Sequence, residues 1–271
     1  MKGIAILGAL AGTLSVTTLA EAQSLSGTQE TRFYSYGIGR ITWTVPRSLE
    51  VIFAVPDSTA GPRIKCESRR YECEVQVRAR DITLSEDQRE QELEGIVKPY
   101  LPDATEKTFR ALREGDVTYT TLEDPRPGEP YKYLTVGYAQ RGPAVIRFQA
   151  TSNAPADTAA VIELVRSARA EDALEMWALR FSDYKAVCEE RFPAYRNNNA
   201  AAFAASPFAK VDVVRFFMRQ DASRTEATTR KELAAVRERF AREFDAAPQD
   251  EREPFCAGYP RFIDDAAKEL R

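Results

Sequence analysis

The sequence predicts an α+β protein in two parts: an antiparallel sheet sandwiched by helices, then an all-α helical bundle. Up to about residue 169, apolar and polar residues alternate in short runs, the period of half-buried strands. From Glu171 onward glycine almost vanishes and apolar residues recur every three or four positions, the period of helices. The four cysteines also divide evenly, with Cys66 and Cys73 in the first part and Cys188 and Cys256 in the second.

The elements follow in order. RFYSYGIGRITWTVP alternates, with Phe33, Tyr34, Ile41, Trp43 and Val45 as inward candidates, and LEVIFAVP is a short apolar strand ended by Pro56. RIKCESRRYECEVQVRARDITL reads as two strands folded at Glu67–Glu72. In the second of these, Cys73, Val75, Val77 and Ala79 share one face and Glu74, Gln76, Arg78 and Arg80 the other. Ser85, with Gln88 three residues on, opens a helix through Leu93, Ile96 and Val97 that the prolines of KPYLP stop. KTFRAL, DVTYTTLED, YKYLTVGYAQ and AVIRFQATS are four strands, the last three separated by PRPGEP and QRGP and forming a meander. A helix from Ala156 to about Arg169, with Val161, Leu164 and Val165 inward, closes the part.

In the second part Trp177, Phe181, Tyr184, Cys188 and Phe192 form one helical stripe. Asn197–Asn199 are expected as a loop or cap before AAAFAASPFAKVDVVRFFMR. Ser223 with Glu226 predicts a capping box opening a helix with Leu233, Val236, Phe240 and Phe244 on one stripe. A last helix, Asp250 to Leu270, carries Cys256, Tyr259, Ile263, Ala266 and Leu270.

The chain opens with Lys2, a mildly apolar run from Ile4 to Val16, and Ala20-Glu21-Ala22. That is a signal-peptide pattern with cleavage expected after Ala22. The expected organisation is therefore residues 1–22 as signal peptide, 23–169 as the α+β domain and 170–271 as the helical domain. The address is secreted, in a bacterium the periplasm, with no transmembrane span. Export makes two disulfides the default for four cysteines. On a hairpin Cys66 and Cys73 lie opposite each other, within reach of a disulfide. Cys188 and Cys256 follow by elimination, each on the apolar stripe of its own helix.

The chain has 38 Lys+Arg against 41 Asp+Glu, balanced in each half, so composition offers no surface for nucleic acid. It contains no histidine. This excludes Ser-His-Asp and Cys-His catalysis, the common catalytic zinc sets and histidine-ligated haem. No Walker loop, dinucleotide fingerprint, nucleophile elbow or S-x-x-K motif is present. No cofactor and no metal is expected.

Paired carboxylates remain: Glu123-Asp124 at a turn, and Glu189-Glu190 and Asp264-Asp265 on helices, where neighbours diverge by about 100° and split across faces. Tyr131, Tyr133, Tyr138 and Phe148 are candidates for core packing or for a ligand groove. Arg69, Arg70 and Tyr71, at the tip of the clamped hairpin, are the candidate contact surface, expected to be exposed, cationic and aromatic.

With ITWTVP near the expected mature N-terminus, a helix after the early strands, then YTTLED, YKYLTVGYAQRGPAVIRFQATS and the closing helix AVIELVRSAR, residues 30–169 resemble the PsbP/Mog1/DcrB-like superfamily. The resemblance implies an antiparallel sheet between helices and an accessory or binding role, and it supplies no catalytic residue. The Cys66–Cys73 clamp and the helical second half depart from that family's pattern. The expected function is thus a non-catalytic accessory or binding protein of the cell envelope, its partner an envelope protein or ligand. The alternative is a carboxylate-dependent hydrolase acting on envelope glycans.

Overall fold

A computed structural model describes residues 30–35, 38–46, 49, 51–57, 61–67, 69–79, 86–101, 109–123 and 130–270. The expected signal peptide, the expected Ser85 cap, the expected Pro-rich turn at 124–129 and the side chains of Phe33 and Tyr34 lie outside that description. The chain forms two compact units that part between Glu171 and Asp172.

The described residues of the first unit form ten strands. β1 (Glu30–Ser35), β2 (Gly39–Thr44) and β10 (Arg169–Ala170) form a small antiparallel sheet in the order β1-β2-β10. The large sheet is also antiparallel, in the order β3-β4-β5-β9-β8-β7-β6. Its strands are β3 (Val51–Asp57), β4 (Gly61–Glu67), β5 (Tyr71–Ala79), β6 (Leu112–Glu114), β7 (Val117–Glu123), β8 (Tyr133–Arg141) and β9 (Ala144–Ser152).

Strand alternation gives the large sheet two apolar faces. On one, Cys73, Val75 and Val77 of β5 join Ile146, Phe148 and Ala150 of β9 in the main core. Trp43 and Ile41 of β2 and Val161, Ile162, Leu164 and Val165 of α2 (Ala159–Ser167) complete that core. On the other face Leu134, Val136 and Tyr138 of β8 and Val145 of β9 meet Leu93 and Val97 of α1 (Glu86–Val97). The sheet therefore lies between helices. Burial of these side chains is the main stabilising term, about 25 cal/mol per Å² of apolar surface removed from water.

Two elements differ from expectation. The strand expected at 107–112 is β6, later and shorter. The turn at Gly115, with φ of 63°, fixes the register so that Leu112–Glu114 pair with Val117–Tyr119. The closing helix begins as a 3-10 turn, Pro155–Thr158, and ends at Ser167 rather than Arg169. Its last carbonyls are taken over by Arg141, which donates from Nε to Ala168 O at 2.7 Å and from Nη2 to Val165 O and Arg166 O at 3.3 Å. A cation at a helix C-terminus also opposes the macrodipole. The freed residues Arg169 and Ala170 pair with β2, and Glu171 is anchored by Thr42 Oγ1 at 2.7 Å and by its own N–H to Arg40 O at 2.9 Å.

The second unit is helical: α3 (Ala173–Arg191), α4 (Arg196–Ala205), α5 (Val213–Gln220), α6 (Glu226–Ala246) and α7 (Gln249–Glu269), with 3-10 turns at Pro193–Tyr195 and Pro207–Lys210. Its core is aromatic. Trp177, Phe181, Tyr184, Phe208, Phe240, Phe244, Phe255 and Tyr259 are buried together, and Phe181 alone has Trp177, Tyr184, Phe208 and Tyr259 within 6.1 Å, centroid to centroid. The Tyr259 hydroxyl donates to the Phe181 carbonyl at 2.8 Å, and burial pushes its pKa up.

Three sequence expectations are corrected here. Asn197–Asn199 lie inside α4, not in a loop before it. Asn199 is 1% exposed, and its Nδ2 donates to Cys256 O at 3.3 Å. That carbonyl has no helical donor because the residue four positions on is Pro260, which lacks an N–H. The capping box of α6 is Thr225 with Thr228, not Ser223 with Glu226. Asp221 Oδ1 accepts from both the N–H and the hydroxyl of Ser223, so the helix starts two residues later. Leu270 is exposed, beyond the end of α7, rather than on the buried stripe.

Candidate functional site

β6, β7, β8, the segment entering α2 and the first turn of α2 line an open cleft of about 520 Å³. Residues directly opposite each other in an antiparallel pair share a face. Leu112 pairs with Tyr119, Glu114 with Val117, and Glu123 with Tyr133. Tyr119, Thr121 and Glu123 alternate along β7 and so point the same way. The side chains of Leu112, Glu114, Tyr119, Thr121, Glu123 and Tyr133 form the floor. Pro155, Ala156, Thr158, Ala159 and Ile162 form a wall, and Leu122 borders the cleft.

Gly137 makes room for this floor. A Cβ there would lie 2.5 Å from Thr118 O and from Tyr119 Cβ, and 2.8 Å from the Phe148 ring. Arg141, by holding the C-terminus of α2, fixes the wall. Thr121 and Thr135 hydroxyls bond across β7 and β8 at 2.9 Å.

The polar groups are unevenly committed. The Tyr119 hydroxyl donates to Glu114 Oε1 at 3.0 Å, and desolvation, that hydrogen bond and the Glu114 charge push the phenol's pKa up. Arg166 Nη1 approaches Glu114 Oε2 at 3.9 Å. Glu123, at the other end, has neither an ion pair nor a hydrogen-bonded side-chain partner among the described residues. Glu114 lies opposite Val117, and six positions along β7 separate Val117 from Glu123. At about 3.4 Å per residue the two glutamates are roughly 20 Å apart along the strand.

The residues singled out from the sequence are scattered. Cys66 and Cys73 are register partners with Cα atoms 4.9 Å apart, and Cys188 and Cys256 are 5.4 Å apart; both pairs are at disulfide distance. Arg69 and Arg70 are exposed at the hairpin tip, but Tyr71 is not. It is 7% exposed, begins β5 opposite Ser152, and belongs to the main core. Its spacing of two from Cys73 places it on the inward face, so the aromatic member of the expected contact surface is a core residue.

Of the four candidate groove aromatics, Tyr133 lines the cleft, Tyr138 packs under α1, Phe148 lies in the main core and Tyr131 is half-buried outside the cleft. Tyr138 donates its hydroxyl to Arg89 O at 2.8 Å, and burial pushes its pKa up to about 12. Glu189 and Glu190, like Asp264 and Asp265, split between half-buried and exposed faces. Among the described residues no group of three or more Cys, Asp or Glu is arranged to hold a metal ion.

A buried acid lies in the helical unit. Asp183 on α3 is 4% exposed and pairs with Arg237 Nε at 2.7 Å. Burial pushes its pKa up to about 6, against the lowering effect of Arg237. Sequence reasoning missed Leu112, Glu114, Tyr119, Thr121 and Ile162 as site residues. The alternation of Tyr119, Thr121 and Glu123 was the signal present.

No family model matches the chain, and no curated protein matches it. A crystal structure from Bacteroides thetaiotaomicron VPI-5482 at 1.50 Å resolution is similar over 61% of this chain. The match spans 63% of that chain at 10% identity and a TM-score of 0.34, a likeness that carries no argument about fold or function.

Proposed function

We propose that this is an exported, non-catalytic binding protein of the cell envelope, in a bacterium a periplasmic one, and that the β6–β8 cleft holds its ligand. One observation carries the reading against a hydrolase: the cleft's carboxylates are too far apart. Glycoside hydrolysis needs two carboxyl groups roughly 5–10 Å apart. With Glu114 and Glu123 about 20 Å apart along the strand, side chains reaching inward do not close the gap. The acid whose pKa is pushed up to about 6, Asp183, lies in the helical unit beside Arg237, not in the cleft.

Disulfide pairing in both units supports an oxidising compartment, and among the described residues no helix is long and apolar enough to cross a membrane. A sheet with α1 on one face and α2 on the other is the layering that the resemblance to the PsbP/Mog1/DcrB-like superfamily implies, and it supports an accessory role. The test is turnover of peptidoglycan and simple glycans by the purified protein and by Glu114→Gln and Glu123→Gln. No turnover is expected. Turnover that either change lowers about a hundredfold, as loss of a general acid or base does, overturns the reading.

A further inference from the structure

The described lining of the cleft is asymmetric in charge. Among the described residues its lining contains Glu114 and Glu123 and no basic residue. Arg113, between Leu112 and Glu114 on β6, faces the other side of the sheet by strand alternation. Arg166 approaches the Glu114 end at 3.9 Å and offsets its charge. Glu123 has no ion-pair partner among the described residues and lies at the edge of a surface made of Leu112, Tyr119, Tyr133, Pro155 and Ile162. Tyr133 lies directly opposite Glu123, so their Cβ atoms are about 5 Å apart. A cation touching the carboxylate is then within about 6 Å of the ring, the range in which an aromatic side chain attracts positive charge. An anion in the cleft would be repelled by Glu123, and a cation would be attracted.

We propose that the cleft takes an organic cation: an ammonium or guanidinium group seated between Glu123 and Tyr133, carried on an apolar body lying against Leu112, Tyr119 and Ile162. This rests on the binding reading above and names the ligand's chemistry. The cation is either a free amine or a basic side chain of a peptide, and the test separates the two.

The full chain is titrated with phenylbutylammonium, phenylbutanol, phenylbutyrate and an end-blocked Phe-Leu-Lys peptide, and amide shifts are followed by NMR. The cationic probes shift residues 112–123, 133 and 155–162, and the tighter of the two identifies the source. Phenylbutylammonium binds about tenfold more tightly than phenylbutanol, from one exposed ion pair plus one aromatic contact. Phenylbutyrate binds more weakly than either. Glu123→Gln, a change at an exposed position, lowers the ammonium probe to the affinity of the alcohol and leaves the alcohol unchanged. Tyr133→Leu lowers the ammonium probe by a smaller factor. Equal affinity for the three charge forms at these residues overturns the cation assignment and leaves the cleft a binding site. No shift at these residues with any probe overturns the cation assignment and the binding reading together.

Discussion

Asn199 is expected to act as the substitute for a backbone donor that Pro260 removes. The amide Nδ2 of Asn199 reaches Cys256 O at 3.3 Å inside the aromatic core of the helical unit. Replacing Asn199 by alanine removes that hydrogen bond and leaves a buried carbonyl without a donor, a loss of about 1–3 kcal/mol. Part of this is offset, because Asn199 Oδ1 is itself buried without a partner and its removal relieves that cost. The net expectation for Asn199→Ala is about 1–2 kcal/mol of destabilisation.

Pro260→Ala tests the cause rather than the loss. It restores an N–H four residues beyond Cys256, so α7 can satisfy the carbonyl itself. An interior proline costs a helix about 3 kcal/mol, so this change is expected to be neutral or stabilising. In that background Asn199→Ala should cost less than about 0.5 kcal/mol, a coupling of more than about 0.5 and up to about 2 kcal/mol. Urea unfolding of the four proteins, followed by circular dichroism at the helical band, measures the cycle. If the two changes add to within about 0.5 kcal/mol, Asn199 is not replacing the missing N–H, and its burial needs another cause.

Two other outcomes are expected. The Cys188–Cys256 bond spans 68 residues and the Cys66–Cys73 bond spans seven; in the chain-entropy model their removal by paired alanine changes costs about 4 and about 2.5 kcal/mol, and urea unfolding showing the short bridge to matter more would refute that ordering. Asp183 has a folded pKa of about 6, above its ordinary value of 3.8, so the folded state holds its proton more tightly than the unfolded state. The contribution is therefore fully present below about pH 4 and is lost as pH rises to about 6, by up to about 3 kcal/mol. Asp183→Asn should flatten the stability profile in that window, and an unchanged profile would show that Asp183 does not set it.

What could be read from the sequence was whatever a local period determines. Alternation along Cys73, Val75 and Val77 fixes their face, and the hairpin fixes the partner strand, so the Cys66 and Cys73 register follows from about fourteen residues of text. Helical phase placed Cys188 and Cys256 inward on α3 and α7 in the same way. The same parity argument applies to Tyr71, two residues before Cys73, and would have placed it in the core; the charged residues beside it made the tip look uniformly exposed. Asn197–Asn199 could not be read this way. Asparagine favours caps and turns because its amide competes for nearby backbone, and what holds Asn199 inside α4 is a carbonyl left vacant by a proline 61 positions later. The choice between Ser223 and Thr225 as cap was decided by Asp221, which binds Ser223 first. The cleft depends on a longer-range fact still. Tyr119, Thr121 and Glu123 were legible as one face of a strand, but whether that face is covered or open depends on α2 being only nine residues long and pinned at its end by Arg141. A helix that covered the whole face would have turned the same residues into core. The alternation identifies residues able to line a site, and the length and anchoring of the covering helix decide which of them reach solvent.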